Sequence, residues 1–366
     1  MYKSLDGLRA LAVLSVMAFH YGIFSAGWIG VQFFYVLSGF LISHNLLSYK
    51  TKEISTLQKF LYFFRNRTLR IFPAYYLYLV IVLILNALVF KYTDIHEKTP
   101  YLLSYTFNLI RANNNWFGNP LVEHLWSLSI EEQFYLFWPF VILLLSVRNI
   151  KIVSIILLLL IPVFRILYYL HLTKNNIVMP HTGIAIYYHT LSQIDAFVTG
   201  CCIALFKILE AKFDTLRVML TCMVLFFLLG FINYFSAHRQ LDLYYFSSLG
   251  YKIGEVYNFQ YAWSYTLINI FSASVICFSI LYSSSHILFN IYNNIINSKF
   301  LTEVGKVSYG MYLYHWLIMK FIPDTLHSGI TKIIIFPIYA LVVFFVSWLS
   351  FRLFESRFTQ YKYVFK

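Results

Sequence analysis

The stretch LRALAVLSVMAFHYGIF, residues 8–24, is an apolar segment with an arginine at its start and a histidine near its end. In a helix of ~3.6 residues per turn and ~1.5 Å rise, Arg9 and His20 would share nearly one face, ~16 Å apart along the axis. Ionisable groups within a membrane usually face a bundle interior or a wet cavity and serve a function. Both side chains could instead snorkel to the two membrane interfaces. The spacing alone leaves both interpretations open.

The rest of the chain has the composition of a membrane protein, since 60% of its 366 residues are hydrophobic and 12% are charged. Segments of ~20 apolar residues are long enough to cross a bilayer as helices. We therefore expect an all-α integral membrane protein, a bundle of about ten transmembrane helices. The predicted spans cover residues 8–25, 28–48, 72–92, 130–147, 151–172, 190–209, 217–236, 262–283, 307–323 and 332–354.

The distribution of basic residues predicts the orientation of this bundle. Most of the 28 Lys and Arg residues fall in loops that a cytoplasmic N-terminus would place inside, as the positive-inside rule requires. We therefore expect both termini in the cytoplasm. The formal net charge of +13 then reflects topology and contact with anionic membrane lipids. No nucleic-acid partner is expected.

The chain shows no internal repeat and no linker, which predicts a single transmembrane domain over residues 1–366. The first apolar segment leads almost directly into the second, so we expect a retained signal anchor and not a cleaved signal peptide. The cysteines all fall within predicted spans, which argues against a disulfide framework and against a zinc site. They are Cys201, Cys202, Cys222 and Cys277. No bound metal is predicted.

A basic stretch, FFRNRTLRIFP at residues 63–73, precedes the third predicted span on the cytoplasmic side. Arg67 and Arg70, three residues apart, would share a helix face and present two guanidinium groups suited to a phosphorylated ligand. Arg65 lies beside them, and Pro73 is expected to break the helix. Positive-inside anchoring of an interfacial helix is the alternative explanation.

The segment EHLWSLSIEEQFY, residues 123–135, ends a long loop that is predicted to be extracytoplasmic. Ser129 followed by Glu131 and Glu132 is typical of a helix N-terminus. The fourth span would start here and descend from the outer side, so Glu131 and His20 would lie at similar depths. A carboxylate beside an imidazole orients a general base, and we therefore predict that Glu131 orients His20.

Other polar residues also interrupt the predicted spans. Ser308, Tyr312 and His315 fall on one face of a helix in SYGMYLYH, residues 308–315, and this stripe should face inward because lipid contact would be costly. Arg165 and Asp195 could neutralise one another or could line a cavity. The sequence does not decide between these two roles.

Together these stretches resemble the motifs of the membrane acyltransferase-3 family, bacterial O-acyltransferases of cell-surface carbohydrates. The matching segments are residues 4–20, 30–42, 67–73, 126–131, 308–315 and 352–355. The resemblance implies a location in the bacterial inner membrane and transfer of an acetyl group from cytoplasmic acetyl-CoA to a hydroxyl of a lipid-linked or surface glycan at the outer face of that membrane. O-antigen, lipooligosaccharide, capsule and peptidoglycan are candidate acceptors.

The resemblance also suggests roles for individual residues. Arg65, Arg67 and Arg70 would bind the phosphates of CoA, with Arg9 contacting the donor or fixing the first helix through Asp6. His20 would be the general base or a transient acyl carrier. Ser308, Tyr309, Tyr312 and His315 would line the donor channel and stabilise charge on the thioester oxygen. Supporting roles fall to Asp6, Ser38, Trp126, Ser129, Asp195 and Glu355.

Two features depart from the family pattern. Family members often carry an arginine two residues before the aspartate of the sixth span, where this chain has Gln193. Many members also carry an extracytoplasmic hydrolase-like domain; none is expected here, which implies a stand-alone enzyme or a separate periplasmic transferase as partner. A proton-coupled transporter or acyl carrier without catalysis is the alternative, although an inverted repeat typical of transporters is missing. Acceptor choice would reside in residues 93–129, 173–189 and 237–261.

Overall fold

The computed structural model describes residues 3–113, 119–175, 177, 181–210, 214–237, 243–282, 287–323 and 329–362. Within these ranges the chain forms helices and no β-strand, which confirms the all-α prediction. Parts of the three loops predicted to choose the acceptor lie outside the described residues. The α-helices are α1 Lys3–His20, α2 Ile29–Lys50, α3 Thr56–Leu85, α4 Ile95–Leu103, α5 Phe107–Asn113, α6 Trp126–Leu144, α7 Val147–Lys174, α8 His181–Tyr188, α9 Ile194–Leu205, α10 Thr215–Ala237, α11 Leu243–Ser247, α12 Gln260–Leu281, α13 Ile287–Ile296, α14 Lys299–Lys306, α15 Ser308–Met319, α16 Thr331–Ser350 and α17 Ser356–Thr359.

Six helical segments of the described chain are long and apolar enough to cross a bilayer, and each overlaps a predicted span. Their lengths exceed the ~20 residues that a hydrocarbon core of ~30 Å requires. Two of them include a π-helical turn, at the end of α3 and the end of α16. The segments are Ile29–Lys50, Thr56–Phe90, Val147–Lys174, Thr215–Ser236, Tyr257–Leu281 and Thr331–Thr359. The chain is therefore a multi-pass membrane protein.

The prediction of about ten spans is not supported, because the other four predicted segments form helices of a different kind. Helices α9 and α15 have 12 residues each, ~18 Å at 1.5 Å per residue, too short to span the core. Helices α1 and α6 are longer but carry charged residues. Many residues of these four helices are buried inside the bundle, where polar groups can find protein partners.

Close packing of α2 against α9 fixes the centre of the bundle. A Cβ at Gly39 would collide with the backbone of Phe197, and a Cβ at Gly200 would collide with the backbone of Val36. Small residues at such crossings let membrane helices approach closely. The contact holds α2, which carries Ser38 next to Gly39, in a fixed position.

The predicted break at Pro73 is wrong, since α3 runs through this residue from Thr56 to Leu85. Proline lacks one backbone N–H, and membrane helices tolerate this loss when nearby groups compensate. Arg67 and Arg70 therefore lie on a continuous helix.

The predicted helix start at Ser129 is also wrong, because α6 begins at Trp126. The Ser129 hydroxyl donates a hydrogen bond to the carbonyl of Leu125, four residues earlier, at 3.3 Å. This is the bond of a serine within a helix and not of an N-cap. Glu131 consequently lies in the second turn of α6.

Arg165 and Asp195 form a fully buried ion pair, which answers the question that the sequence left open. The guanidinium also donates to the carbonyls of Ser192 and Ala262 and to the hydroxyl of Thr266. The other oxygen of Asp195 accepts a hydrogen bond from the same Thr266 hydroxyl at 2.7 Å. This Arg165 network joins α7, α9 and α12 and lines no cavity described below.

Candidate active site

A cavity of about 520 Å³ lies between α1, α2, α3, α6 and α15. Its volume falls within the range of ~300–1,000 Å³ that is typical of small-molecule sites. It brings together eight residues that the sequence predicts for the site: Arg9, Ser38, Arg67, Arg70, Glu131, Ser308, Tyr309 and Tyr312.

Three arginines give this cavity a positive wall. Arg9 is 7% exposed and forms an ion pair with Asp6 one turn earlier on α1. Arg67 lies with its guanidinium carbon 4.9 Å from the ring centre of Tyr135. Neither Arg67 nor Arg70 has a salt-bridge partner in the described part of the chain. The wall therefore has an excess of positive charge, which favours an anionic ligand.

Two neighbouring basic residues take different positions. Arg65 is exposed and does not line the cavity, although it belongs to the same predicted group. Lys362 follows α17 beyond the last membrane-spanning segment. Burial, together with the charges of Arg70 and Arg67, lowers the pKa of Lys362 to about 8. Lys362 thus adds a titratable cation to the arginine side of the site.

Glu131 faces the same cavity and is held by hydrogen bonds. The Ser38 hydroxyl donates to Glu131 Oε1 at 2.7 Å, and the Tyr135 hydroxyl donates to Ser38 Oγ at 3.1 Å. His20 has other neighbours, since its ring packs against His315 and Trp316. No hydrogen bond joins Glu131 to His20 in the described ranges. The structure thus does not bring together the carboxylate and the imidazole that the sequence analysis paired.

Helix α15 supplies another part of the cavity wall through Ser308, Tyr309 and Tyr312. Ser308, Tyr312 and His315 are each at most 6% exposed, so the polar stripe faces inward as expected. The Tyr312 hydroxyl lies 2.5 Å from Ser127 Oγ and donates to the carbonyl of His124 at 3.1 Å. Tyr312 is therefore held tightly at one end of the cavity.

A cluster of aromatic side chains lies behind Tyr312; we call His20, His124, His315 and Trp316 the histidine cluster. The ring centres of His20 lie 5.2 Å from His315 and 4.9 Å from Trp316. Those of His124 and His315 are 5.0 Å apart. Tyr312 contacts both His124 and His315, at 5.6 and 5.5 Å between ring centres. The tyrosine is thus shared between the cavity and the histidine cluster.

Backbone carbonyls orient two rings of the cluster. His124 Nε2 lies 3.0 Å from the carbonyl of Leu313, and His315 Nδ1 lies 2.6 Å from the carbonyl of Tyr312. No set of three or more His, Cys, Asp or Glu residues in the described ranges is arranged to hold a metal ion.

The remaining predicted residues lie outside the cavity. Trp126 packs against Tyr187 and Tyr188, with ring centres 4.8 Å apart in both cases. Glu355 accepts a hydrogen bond from Ser350 at 3.0 Å. Ser129 and Asp195 are bonded as described above, within α6 and within the Arg165 network.

Three further residues of the site, Ser127, Tyr135 and His124, are not among the predicted site residues. Ser127 and Tyr135 line the cavity with Glu131, and their spacing of four residues places all three on one face of α6. The start of α6 at Trp126 brings Ser127 onto this face. His124 stood in the quoted motif but was given no role.

Comparisons with known proteins show what the chain is similar to. The family described as an acyltransferase domain matches residues 2–352. O-acetyltransferase OatA of Staphylococcus aureus is 27% identical over an alignment of 373 positions, gaps included, which covers 96% of this chain and 56% of the relative. Peptidoglycan O-acetyltransferase OatA of Listeria monocytogenes is 29% identical over 381 residues, 96% of this chain and 55% of the relative. The chain thus spans a little over half the length of these relatives. No solved structure matches it.

Proposed function

The chain belongs to the acyltransferase domain family, and on this premise we propose that it is an O-acetyltransferase of the bacterial inner membrane. Acetyl-CoA on the cytoplasmic side is the donor, and a hydroxyl of a cell-surface glycan is the acceptor. The relatives named as O-acetyltransferases support acetyl as the group that is transferred. The relative named for peptidoglycan makes that polymer the first acceptor to test.

One observation carries the proposal: a single cavity holds three arginines at one side and reaches Tyr312, next to the histidine cluster, at the other. Arg67 and Arg70, which form no salt bridge among the described residues, would bind the phosphates of the donor. Arg9, fixed by Asp6, would extend the positive wall toward the thioester. Orientation of the arginine side toward the cytoplasm agrees with the positive-inside rule.

The reaction is acyl transfer between a thioester and an alcohol. The acceptor oxygen attacks the thioester carbonyl carbon, a C–O bond forms and the C–S bond breaks. His20 takes the proton of the acceptor hydroxyl and returns it to the departing thiolate, which leaves CoA as a free thiol. A transient acyl-histidine would divide the same exchange into two steps.

Glu131 acts on the donor side in this proposal. Its carboxylate is fixed by Ser38 and faces the arginine wall, so it orients the arginines and the donor arm. This assignment replaces the predicted partnership with His20, for which the structure shows no contact. Ser308, Tyr309 and Tyr312 line the path of the acyl group.

The test uses the full chain purified into lipid nanodiscs, with acetyl-CoA labelled in the acetyl group. Wild-type protein should release CoA thiol and label isolated peptidoglycan, whereas His20→Ala should bind acetyl-CoA with unchanged Kd and transfer no label. Transfer retained in His20→Ala would remove this histidine from the mechanism. Movement of label across the membrane without thiol release would identify a transporter and overturn the proposed function.

A further inference from the structure

Two ring nitrogens of the histidine cluster are buried without a hydrogen-bond partner in the described part of the chain. They are Nδ1 of His124 and Nε2 of His315. The indole Nε1 of Trp316, next to both rings, is buried and unpartnered as well. Buried polar atoms in proteins are nearly always satisfied, and an exception calls for an explanation such as a bound ligand.

The hydrogen bonds to backbone define what these nitrogens can do. A carbonyl oxygen only accepts, so His124 Nε2 and His315 Nδ1, which lie against carbonyls, must carry the protons. In a neutral imidazole the second nitrogen is then an acceptor with a free lone pair. Both unpartnered nitrogens are therefore acceptors. His315 is thus poorly suited to the stabilisation of a thioester oxyanion, which needs a donor.

We propose that His124 and His315 bind the acceptor, their two free nitrogens accepting hydrogen bonds from hydroxyl groups of the glycan beside His20. This inference rests on the proposed function and adds to it the site of the acceptor. A sugar is the ligand that fits, because it donates several O–H groups from one rigid ring.

The geometry of the cluster fits one such ligand. The ring centres of His124 and His315 are 5.0 Å apart, so hydroxyl groups of one sugar residue, each in an O–H···N bond of ~2.8 Å, would serve both rings. The indole of Trp316 offers an apolar face and an N–H donor, complementary to the C–H face and oxygens of a sugar. His20 lies within 5.2 Å of both His315 and Trp316, close enough to take a hydroxyl proton.

His20 and Trp316 form the accessible edge of the cluster. His20 and Trp316 are partly exposed, whereas His124 and His315 are at most 1% exposed. His20 is the last residue of α1, at the opposite end from Arg9. The acceptor would therefore enter beside His20, and the donor would occupy the cavity with its acyl end at Tyr312, which lines the cavity and contacts His315.

Substitution by glutamine or asparagine can test the free lone pair of each histidine separately from its hydrogen bond to the backbone. Glutamine places its amide near the position of Nε2, and asparagine near the position of Nδ1. His124→Gln and His315→Asn therefore keep the anchoring donor and remove the free acceptor. His124→Asn and His315→Gln do the reverse, because they offer an oxygen at the free position and give up the anchor.

The experiment measures base-labile acetate released from isolated cell envelopes of a strain that lacks its own copy and expresses each variant. The amount of protein in the membrane and the Kd for acetyl-CoA serve to normalise the values. We expect roughly a tenfold loss for His124→Gln and His315→Asn, and at least half of wild-type acetylation for His124→Asn and His315→Gln. His171→Gln, on the exposed end of α7, should match wild type.

The opposite pattern would show that the two histidines only anchor the backbone and would overturn the inference. Equal acetylation in all four variants, or equal loss in all four, would also overturn it, because the free lone pairs would then not decide activity. Absence of acetate with the wild-type protein would instead contradict the proposed function itself.

Discussion

The Arg165 network and the arginines of the cavity lie in the same bundle, but their hydrogen bonds are arranged in opposite ways. A guanidinium has five N–H donors, and Arg165 uses its nitrogens in five hydrogen bonds to protein atoms. Its carboxylate partner, Asp195, is as fully buried as Arg165 itself. Arg67 and Arg70 have no such carboxylate in the described ranges and face an open volume.

The difference separates a structural role from a binding role. A buried charge that is paired and fully hydrogen-bonded has no donor left for a ligand. Removing it leaves the partner charge buried without compensation. Like charges that face a cavity repel one another and are relieved when an anion binds. We therefore expect substitutions in the Arg165 network to lower stability, and substitutions in the cavity to lower donor binding.

The largest effect is expected for Arg165→Met. It would leave Asp195 buried without a cation, at a cost of ~3–5 kcal/mol in the free energy of unfolding. Denaturant titration of the purified protein in detergent micelles measures this change.

The double variant Arg165→Met/Asp195→Leu is the control for this prediction. It removes both charges, and we expect it to recover a large part of the lost stability. A double variant as unstable as the single one would show that the network contributes through its other bonds, to Ser192, Ala262 and Thr266, more than through the ion pair.

The second prediction addresses the open side of the comparison. Arg67→Gln and Arg70→Gln should each weaken acetyl-CoA binding roughly 10- to 100-fold, because each removes a charge-assisted contact of ~1.5–3 kcal/mol. The free energy of unfolding without ligand should stay the same or rise, since repulsion within the wall decreases.

Isothermal titration of the nanodisc-embedded protein measures both affinities. Arg65→Gln is the matched control on the same helix, exposed and outside the cavity, and should change the Kd less than twofold. An equal loss in Arg65→Gln would mean that the donor binds to the basic surface and not in the cavity.

The same contrast explains what could be predicted from the sequence. The period of the α-helix and the spacing of three residues are enough to place Arg67 and Arg70 on one helix face. Both residues line the cavity. The position of Glu131 could not be predicted in this way. Its predicted depth in the membrane depends on a full-length span that begins near residue 130. In the structure α6 begins at Trp126, and its contacts with α2 decide where Glu131 faces.

The Arg165–Asp195 pair shows a second limit. Two intramembrane charges 30 residues apart either pair or line a cavity, and only the packing of α7 against α9 decides between these outcomes. The prediction that α1, α6, α9 and α15 span the membrane fails for a related reason. Apolar composition does not distinguish a helix buried by protein from one that is surrounded by lipid.

A smaller effect is expected for Ser38→Ala, which removes the donor to Glu131 and the acceptor of the Tyr135 hydroxyl. If the loss of these hydrogen bonds raises the activation free energy by ~1 kcal/mol, kcat should be roughly five- to tenfold lower. Acetyl transfer at saturating acetyl-CoA measures it.

Ser43→Ala on the same helix is the matched control. Ser43 is fully buried and accepts a hydrogen bond from Trp138 at 2.9 Å, outside the cavity. Ser43→Ala should lower the free energy of unfolding about as much as Ser38→Ala does, but it should leave kcat unchanged. A kcat unchanged in Ser38→Ala would remove Glu131 from the reaction path.

The smallest effect concerns pH and the cation that borders the arginine wall. Because burial and the charges of Arg70 and Arg67 lower the pKa of Lys362 to about 8, this side chain is charged at pH 7 and neutral at pH 9. Affinity for the phosphates of acetyl-CoA should therefore fall as the pH rises through 8. Since the side chain is partly exposed, the change should be only roughly two- to fivefold. Lys362→Met should have the lower affinity at both pH values and lose the pH dependence. If the dependence persisted in Lys362→Met, the titrating group would be elsewhere, and the open arginine wall would end at Arg70.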